Sequence, residues 1–151
     1  MPHIHEKIDF TVEVFIIHKN KVLLRMHDKH NIWLSVGGHI ELDEDPIQAA
    51  IREVKEEVGL DIFIPPSKQI PEDENYKGLT TPKFLGIHDV GDTHKHIVFV
   101  YFATSDTDEV IESINEHERS KTCWSTKEEV EKMDLVPNVR FYALEALKEF
   151  K

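Results

Sequence analysis

Hydrophobic and polar positions along the first part of the chain predict strands. Phe10 to His18 is a β-branched and aromatic run, Lys19-Asn20-Lys21 reads as a turn, and Val22 to His27 reads as a second strand. Trp33 to Val36 is a short extended piece leading into Gly37-Gly38, for which a turn is the bland alternative, glycine being the default residue at a sharp bend. The period then changes from two to that of a helix. Ile47, Ala50, Ile51, Val54 and Val58 follow i, i+3/i+4 spacing and mark one apolar face. Pro46 suits the first turn of this helix, Asp43 or Asp45 its N-cap, and Gly59 its C-terminal stop.

Further along, Asp61 to Ile64 reads as a strand ended by Pro65-Pro66. Ser67 to Pro82 is polar and long for a connection, and such loops in compact domains are either functional lids or disordered segments. Lys83 to Val90 and Lys95 to Thr104 predict a pair of strands joined by Gly91-Asp92-Thr93-His94. Asp106 to Glu118 is acidic and shows no clear period. Lys121 to Trp124 reads as a strand, Ser125 or Thr126 as the cap of a short helix through Met133, and Pro137 as the start of a last helix with Phe141, Leu144 and Leu147 on one face. Strands interspersed with helices, with antiparallel hairpins, predict an α/β protein with a mixed sheet.

Composition narrows the class. The 151 residues suit one domain, 1–151, with a true core, and 40% hydrophobic with 31% charged residues is ordinary for a soluble globular protein. No apolar run approaches the roughly 18 residues that cross a membrane, the N-terminus lacks a basic-then-apolar signal pattern, and the single Cys123 excludes an intrachain disulfide framework. A cytoplasmic protein is the expectation. A net charge of −11 argues against broad binding of nucleic acid polymers, which rests on clustered Lys and Arg. An anionic protein with an anionic substrate needs metal and a few placed cations.

One candidate for such chemistry lies on the predicted central helix. Glu53, Glu56 and Glu57 recur at i, i+3, i+4 on a flank of its apolar face. Like charges at that spacing are mildly destabilising, and a divalent cation would reverse the sign of that cost. Oxygen ligands of this kind suit Mg²⁺, which usually keeps several waters, better than they suit zinc.

The 23 residues from Gly38 to Leu60 carry a more specific pattern: Gly38, five residues, Glu44, seven residues, then Arg52-Glu53-Val54-Lys55-Glu56-Glu57-Val58-Gly59-Leu60. This segment resembles the signature box of the Nudix hydrolases and fits each of its fixed positions. The resemblance implies an α/β/α sandwich, with hydrolysis of a diphosphate linkage in a nucleoside diphosphate joined to some group X. It also implies Mg²⁺, with Mn²⁺ as an alternative, and a small-molecule nucleotide as partner; a homodimer stays open.

The same resemblance implies residue roles. Glu53, Glu56 and Glu57 are expected metal ligands, joined by the backbone carbonyl of Gly37. Arg52 and Glu44 are expected to support them, the arginine orienting a ligand carboxylate. Glu118, placed before Trp124 as a loop carboxylate is in MutT-like relatives, is a further candidate ligand, with Glu116 and His117 as competitors. The general base is expected to be Glu57 or Glu53. Arg25 and His27, on one face of a strand, are candidates for contact with substrate phosphate, the first always charged and the second pH-sensitive. Val36 departs from the proline that often precedes the two glycines. Tyr76, in the long polar loop, is a candidate for stacking on a base.

Ten histidines raise the question of zinc. His94-x-His96 shares a strand face, with His88 across the predicted hairpin, but spacing alone supplies no tetrahedral set of four ligands. A nucleoside triphosphate pyrophosphatase of the MutT-like kind is the leading substrate reading, with dinucleoside polyphosphate or ADP-ribose hydrolysis as alternatives. A nonhydrolytic nucleotide sensor is the alternative of another class, and the intact glutamates speak against it.

Overall fold

The computed structural model describes residues 7–27, 31–111 and 121–151. One mixed sheet carries β1 (Ile8–His18), β2 (Lys21–His27), β3 (Ile32–Leu34), β4 (Val36–His39), β5 (Ile62–Phe63), β6 (Phe84–Val90), β7 (His94–Ser105) and β8 (Thr122–Ser125). Three helices flank it: α1 (Pro46–Val58), α2 (Lys127–Lys132) and α3 (Pro137–Glu149). β1 runs through the centre, parallel to β7 from Ile8↔Lys95 to Ile17↔Thr104. Alternation along these two strands divides the core. Val12, Val14, Ile16, Tyr101 and Ala103 face α1 on one side, while Phe15, Ile17, Val100 and Phe102 face α2 and α3 on the other. This is the layered α/β/α arrangement expected from the sequence.

The partner of β1 changes part-way along its length. At its C-terminal end it pairs with β2 through Ile17↔Val22, whereas nearer its start it pairs with β4 from Thr11↔His39 to Val14↔Val36. β3 stays with β2 through Arg25↔Leu34, so the chain crosses from β2 to β1 between β3 and β4. This fork opens the sheet and leaves a cavity at its mouth.

Gly37 and Gly38 therefore lie inside a paired strand, which removes the alternative of a simple turn. Their lack of a side chain has another cause. A Cβ on Gly37 would stand 2.0 Å from the Val12 carbonyl oxygen, and one on Gly38 would stand 2.5 Å from the Glu53 carboxylate. Close approach of backbone to β1 and of α1 to β4 requires glycine at both.

The helices also correct details of the sequence reading. On α1 the buried residues are Ala49, Ala50, Val54 and Val58, while Ile51 is 47% exposed. On α3 they are Val139, Ala143, Ala146 and Leu147. Phe141 sits about 200° from Val139, so it turns outward and packs its edge on Phe84, ring centroids 5.3 Å apart.

The loop between β5 and β6 neither covers the cavity nor lacks fixed contacts. The Thr81 N–H donates to Ser67 Oγ and the Gly78 N–H to Glu72, closing the loop on itself. Lys77 fastens it to Asp45 at 2.9 Å, and the Tyr101 hydroxyl donates to the Thr80 carbonyl. No helix among the described residues is long and apolar enough to cross a membrane.

Candidate active site

The start of α1 is fixed locally. Asp45, not Asp43, is the N-cap: its side chain accepts from the Gln48 N–H while the Gln48 side chain accepts from the Asp45 N–H, a reciprocal capping box. Gly59 ends the helix at φ 69°, in the left-handed region that favours glycine. Between these caps, one exposed turn and one helical face are joined by Arg52. Its Nε and Nη2 donate to the two Glu44 oxygens at 2.9 and 2.6 Å, and Nη2 also donates to the His39 carbonyl. Its Nη1 reaches Glu53 at 3.0 Å and Glu56 at 3.2 Å. A planar guanidinium suits this fork geometry, which a lysine could not reproduce. The hydrogen bonds from Arg52 hold the Glu44 carboxyl below the usual carboxylate range, despite its partial desolvation.

Glu57, one turn beyond Glu53, points into the cavity. Burial pushes its carboxyl up to about 7, against the opposing pull of Arg25, and the nearby Glu53 charge raises it further. The neighbouring Gly37 backbone opposes this rise. Arg25 Nη1 lies 3.1 Å from Glu57 Oε2, a charge contact that is not aligned as a hydrogen bond. Glu53 is likewise raised by burial, with Arg52 opposing. Burial thus raises both carboxyls of this neighbouring pair, and each charge disfavours the other.

The cavity, about 330 Å³, occupies the fork of the sheet between β2 and the β1–β4 pair. Arg25, His27 and Glu57 line it, as do Gly37 and Gly38, and β1 adds Glu13. Burial raises the Glu13 carboxyl, whose Oε2 has no hydrogen-bond partner among the described residues.

The NUDIX domain model matches residues 9–147, nearly the whole chain. The chain belongs to the NUDIX domain family. A hydrolase of that family from Clostridium perfringens superposes with a TM-score of 0.81 at 37% identity, covering 95% of this chain and 98% of that one. A C. elegans Ap4A hydrolase, solved as a binary complex, superposes with a TM-score of 0.63 at 22% identity over 94% of each chain, a likeness of fold alone. In sequence, the m7GpppN-mRNA hydrolase NUDT17 of Xenopus laevis is 41% identical over 59 residues. That match spans 35% of this chain and only 20% of the relative's own length.

Within this NUDIX fold, the residues predicted from the sequence meet only in part. Glu53 and Glu57 come together beside Gly37-Gly38, with side chains 14% and 18% exposed. Glu56 shares Arg52 Nη1 with Glu53 but is 59% exposed, so it stands outside the buried Glu53–Glu57 pair. Arg25 and His27 share the cavity wall, as their common strand face requires. Tyr76 is exposed and makes a bridge with Asp73 in the long loop, apart from the cavity lining. Glu118, with Glu116 and His117, lies outside the described residues.

Sequence reasoning missed Glu13, although an acidic residue in the middle of a β-branched and aromatic run was a visible signal. It also missed the link from Lys77 to the helix cap, which joins residues 32 positions apart and leaves no local pattern.

Proposed function

We propose that this chain is a single-domain, Mg²⁺-dependent NUDIX pyrophosphohydrolase that cleaves a diphosphate linkage in a nucleoside diphosphate joined to X. One observation carries the reading: Glu53 and Glu57 sit together, half-buried at the cavity edge, held by Arg52 and Arg25. The donor set fits a hard cation. It is all oxygen, it is short of positive charge, and Glu57 Oε2 is buried without an aligned donor.

Glu53, Glu57 and Glu56 would hold the ion, the last after its side chain swings from Arg52, with the Gly37 carbonyl and Glu118 as further candidates. Bound there, Mg²⁺, or Mn²⁺ in its place, supplies neutralisation of phosphate oxygens and orientation of water. The protein's own residues do the rest. Arg52 keeps the Glu53 carboxylate in place, and Gly37 and Gly38 let α1 approach the strand that faces it. Arg25 and His27 present cationic or hydrogen-bonding groups for a substrate phosphate. Glu57 or Glu53, the carboxylates beside the cavity, takes the proton of the attacking water.

The substrate reading favoured is a nucleoside triphosphate. Dinucleoside polyphosphates or ADP-ribose form the second reading, supported for the former by fold likeness to the Ap4A hydrolase. Tyr76 would serve these only after the long loop moved. The test is a Mg²⁺-dependent phosphate-release assay over a nucleotide panel with wild type, Glu56→Gln and Glu57→Gln. We expect losses of about 10²-fold or more in the variants. Full Mg²⁺-dependent activity in both would sink the assignment, and silence of the wild type with nucleotide binding retained would favour a nonhydrolytic sensor.

A further inference from the structure

Opposite α1, the start of the sheet gathers side chains that the proposed reaction does not use. Asp9 on β1 stands beside His96 on β7 through the parallel register, and His94 lies two residues earlier on the same face. His39, the last residue of β4, comes in from the other side. All three imidazoles turn Nε2 toward one oxygen, Asp9 Oδ2: His94 at 2.8 Å, His39 at 3.5 Å and His96 at 4.0 Å. The ring centroids of His39 and His94 lie 4.9 and 5.1 Å from that of His96. Asp9, His94 and His96 also place one ligand atom each within 4.8 Å of the others.

A tetrahedral zinc ion with bonds of about 2.0–2.1 Å has ligand atoms roughly 3.3–3.4 Å apart, which Asp9, His94 and His96 reach by small side-chain shifts from their spacing within 4.8 Å, with His39 closing in from outside that group. Two ligands come from alternate residues of one strand and the others from two neighbouring strands, so the backbone ladder fixes their relative positions. The set is three nitrogens and one oxygen. That chemistry suits zinc and neighbouring transition metals and contrasts with the oxygen set of the glutamates across the cavity.

The geometry points to a second metal site, built from Asp9, His39, His94 and His96, that binds a divalent transition metal of the zinc class. His39 and His96 also line the cavity, so the ion would sit on the wall facing Glu57. There it ties β1, β4 and β7 together at their open ends and adds positive charge to a cavity meant for an anionic substrate. The site stands independently of the proposed hydrolysis.

The test is calorimetric titration of the untagged, metal-stripped chain with Zn²⁺ alone, in a buffer holding excess Mg²⁺ to occupy the glutamates. Visible absorption of the Co²⁺-loaded protein would report tetrahedral nitrogen and oxygen ligation. We expect one tight zinc ion per chain, a zinc-dependent rise in Tm, and affinity at least ~10-fold weaker in both His94→Gln and Asp9→Asn. Glu57→Gln should leave zinc affinity unchanged. Two surface-accessible variants guard against misfolding of one, and their metal-free Tm values check this. The proposal is overturned if the wild type binds no zinc, if both variants bind it as wild type does, or if Glu57→Gln abolishes binding.

Discussion

The α1 wall of the cavity and the strand wall opposite it both concentrate ionisable side chains, but they are assembled at different ranges along the chain. Glu44, Arg52, Glu53, Glu56 and Glu57 fall within one short segment, and the helix repeat brings them together once Asp45 and Gly59 have set its ends. Asp9, His39, His94 and His96 span most of the chain and meet only because β1 lies parallel to β7 and forks to accept β4. The first wall could therefore be read from spacing. The second could not, since alternation says which side a residue faces and not which strand lies beside it.

The two walls meet at Gly37-Gly38, so the largest expected effect comes from breaking that seam. In Gly37→Ala the new methyl group would meet the Val12 carbonyl oxygen, and a backbone atom in a paired strand has little room to yield. We expect a loss of at least about 3 kcal/mol in urea denaturation, as for severe overpacking. Gly38→Ala meets only the movable Glu53 carboxylate, so it should spare stability while lowering activity. Equal stability losses in the two variants would show that the Glu53 carboxylate is held as rigidly as the β1 backbone.

Arg52→Lys acts within the α1 wall alone. Lysine keeps the charge but cannot span Glu44, Glu53 and the His39 carbonyl at once, so the Glu53 carboxylate loses its bearing. The expected cost is about 10- to 100-fold in activity or Mg²⁺ affinity, the range for residues that orient metal ligands. Zinc affinity on the opposite wall should change far less, although His39 supplies one of the broken contacts. A parallel fall in both affinities would mean that the two walls are one coupled unit.

Much of the α1 wall was legible for a physical reason: caps, helix repeat and the arginine fork are all local. Even there, spacing placed three glutamates on one flank and could not show that Glu56 would lie exposed while Glu53 and Glu57 were sheltered. That choice depends on β4 approaching the helix, a tertiary contact. The same limit applies to Ile51 and Phe141, both apolar, both at plausible helical spacing, and both largely exposed. Tyr76 was a positional match in a loop whose path is set by Lys77, Thr80 and Thr81, all of which bond to residues far away in sequence.

The smallest expected effect concerns Glu13, which projects from β1 into the space between the walls. Burial raises its carboxyl above the ordinary range, and Oε2 has no partner among the described residues. For a carboxyl whose folded pKa exceeds its unfolded one, the folded state holds the proton more firmly. Its stabilising contribution is complete below the unfolded pKa and is lost as pH rises through the folded pKa. Glu13→Gln cannot ionise, so it should equal wild type in stability at about pH 4 and exceed it at about pH 8. Denaturation of the metal-free proteins at both values measures this, and taking the difference between variant and wild type removes the contribution of Glu57. Parallel stability curves would show that water or a cation already compensates Glu13, and that the space between the walls is less shielded than its lining implies.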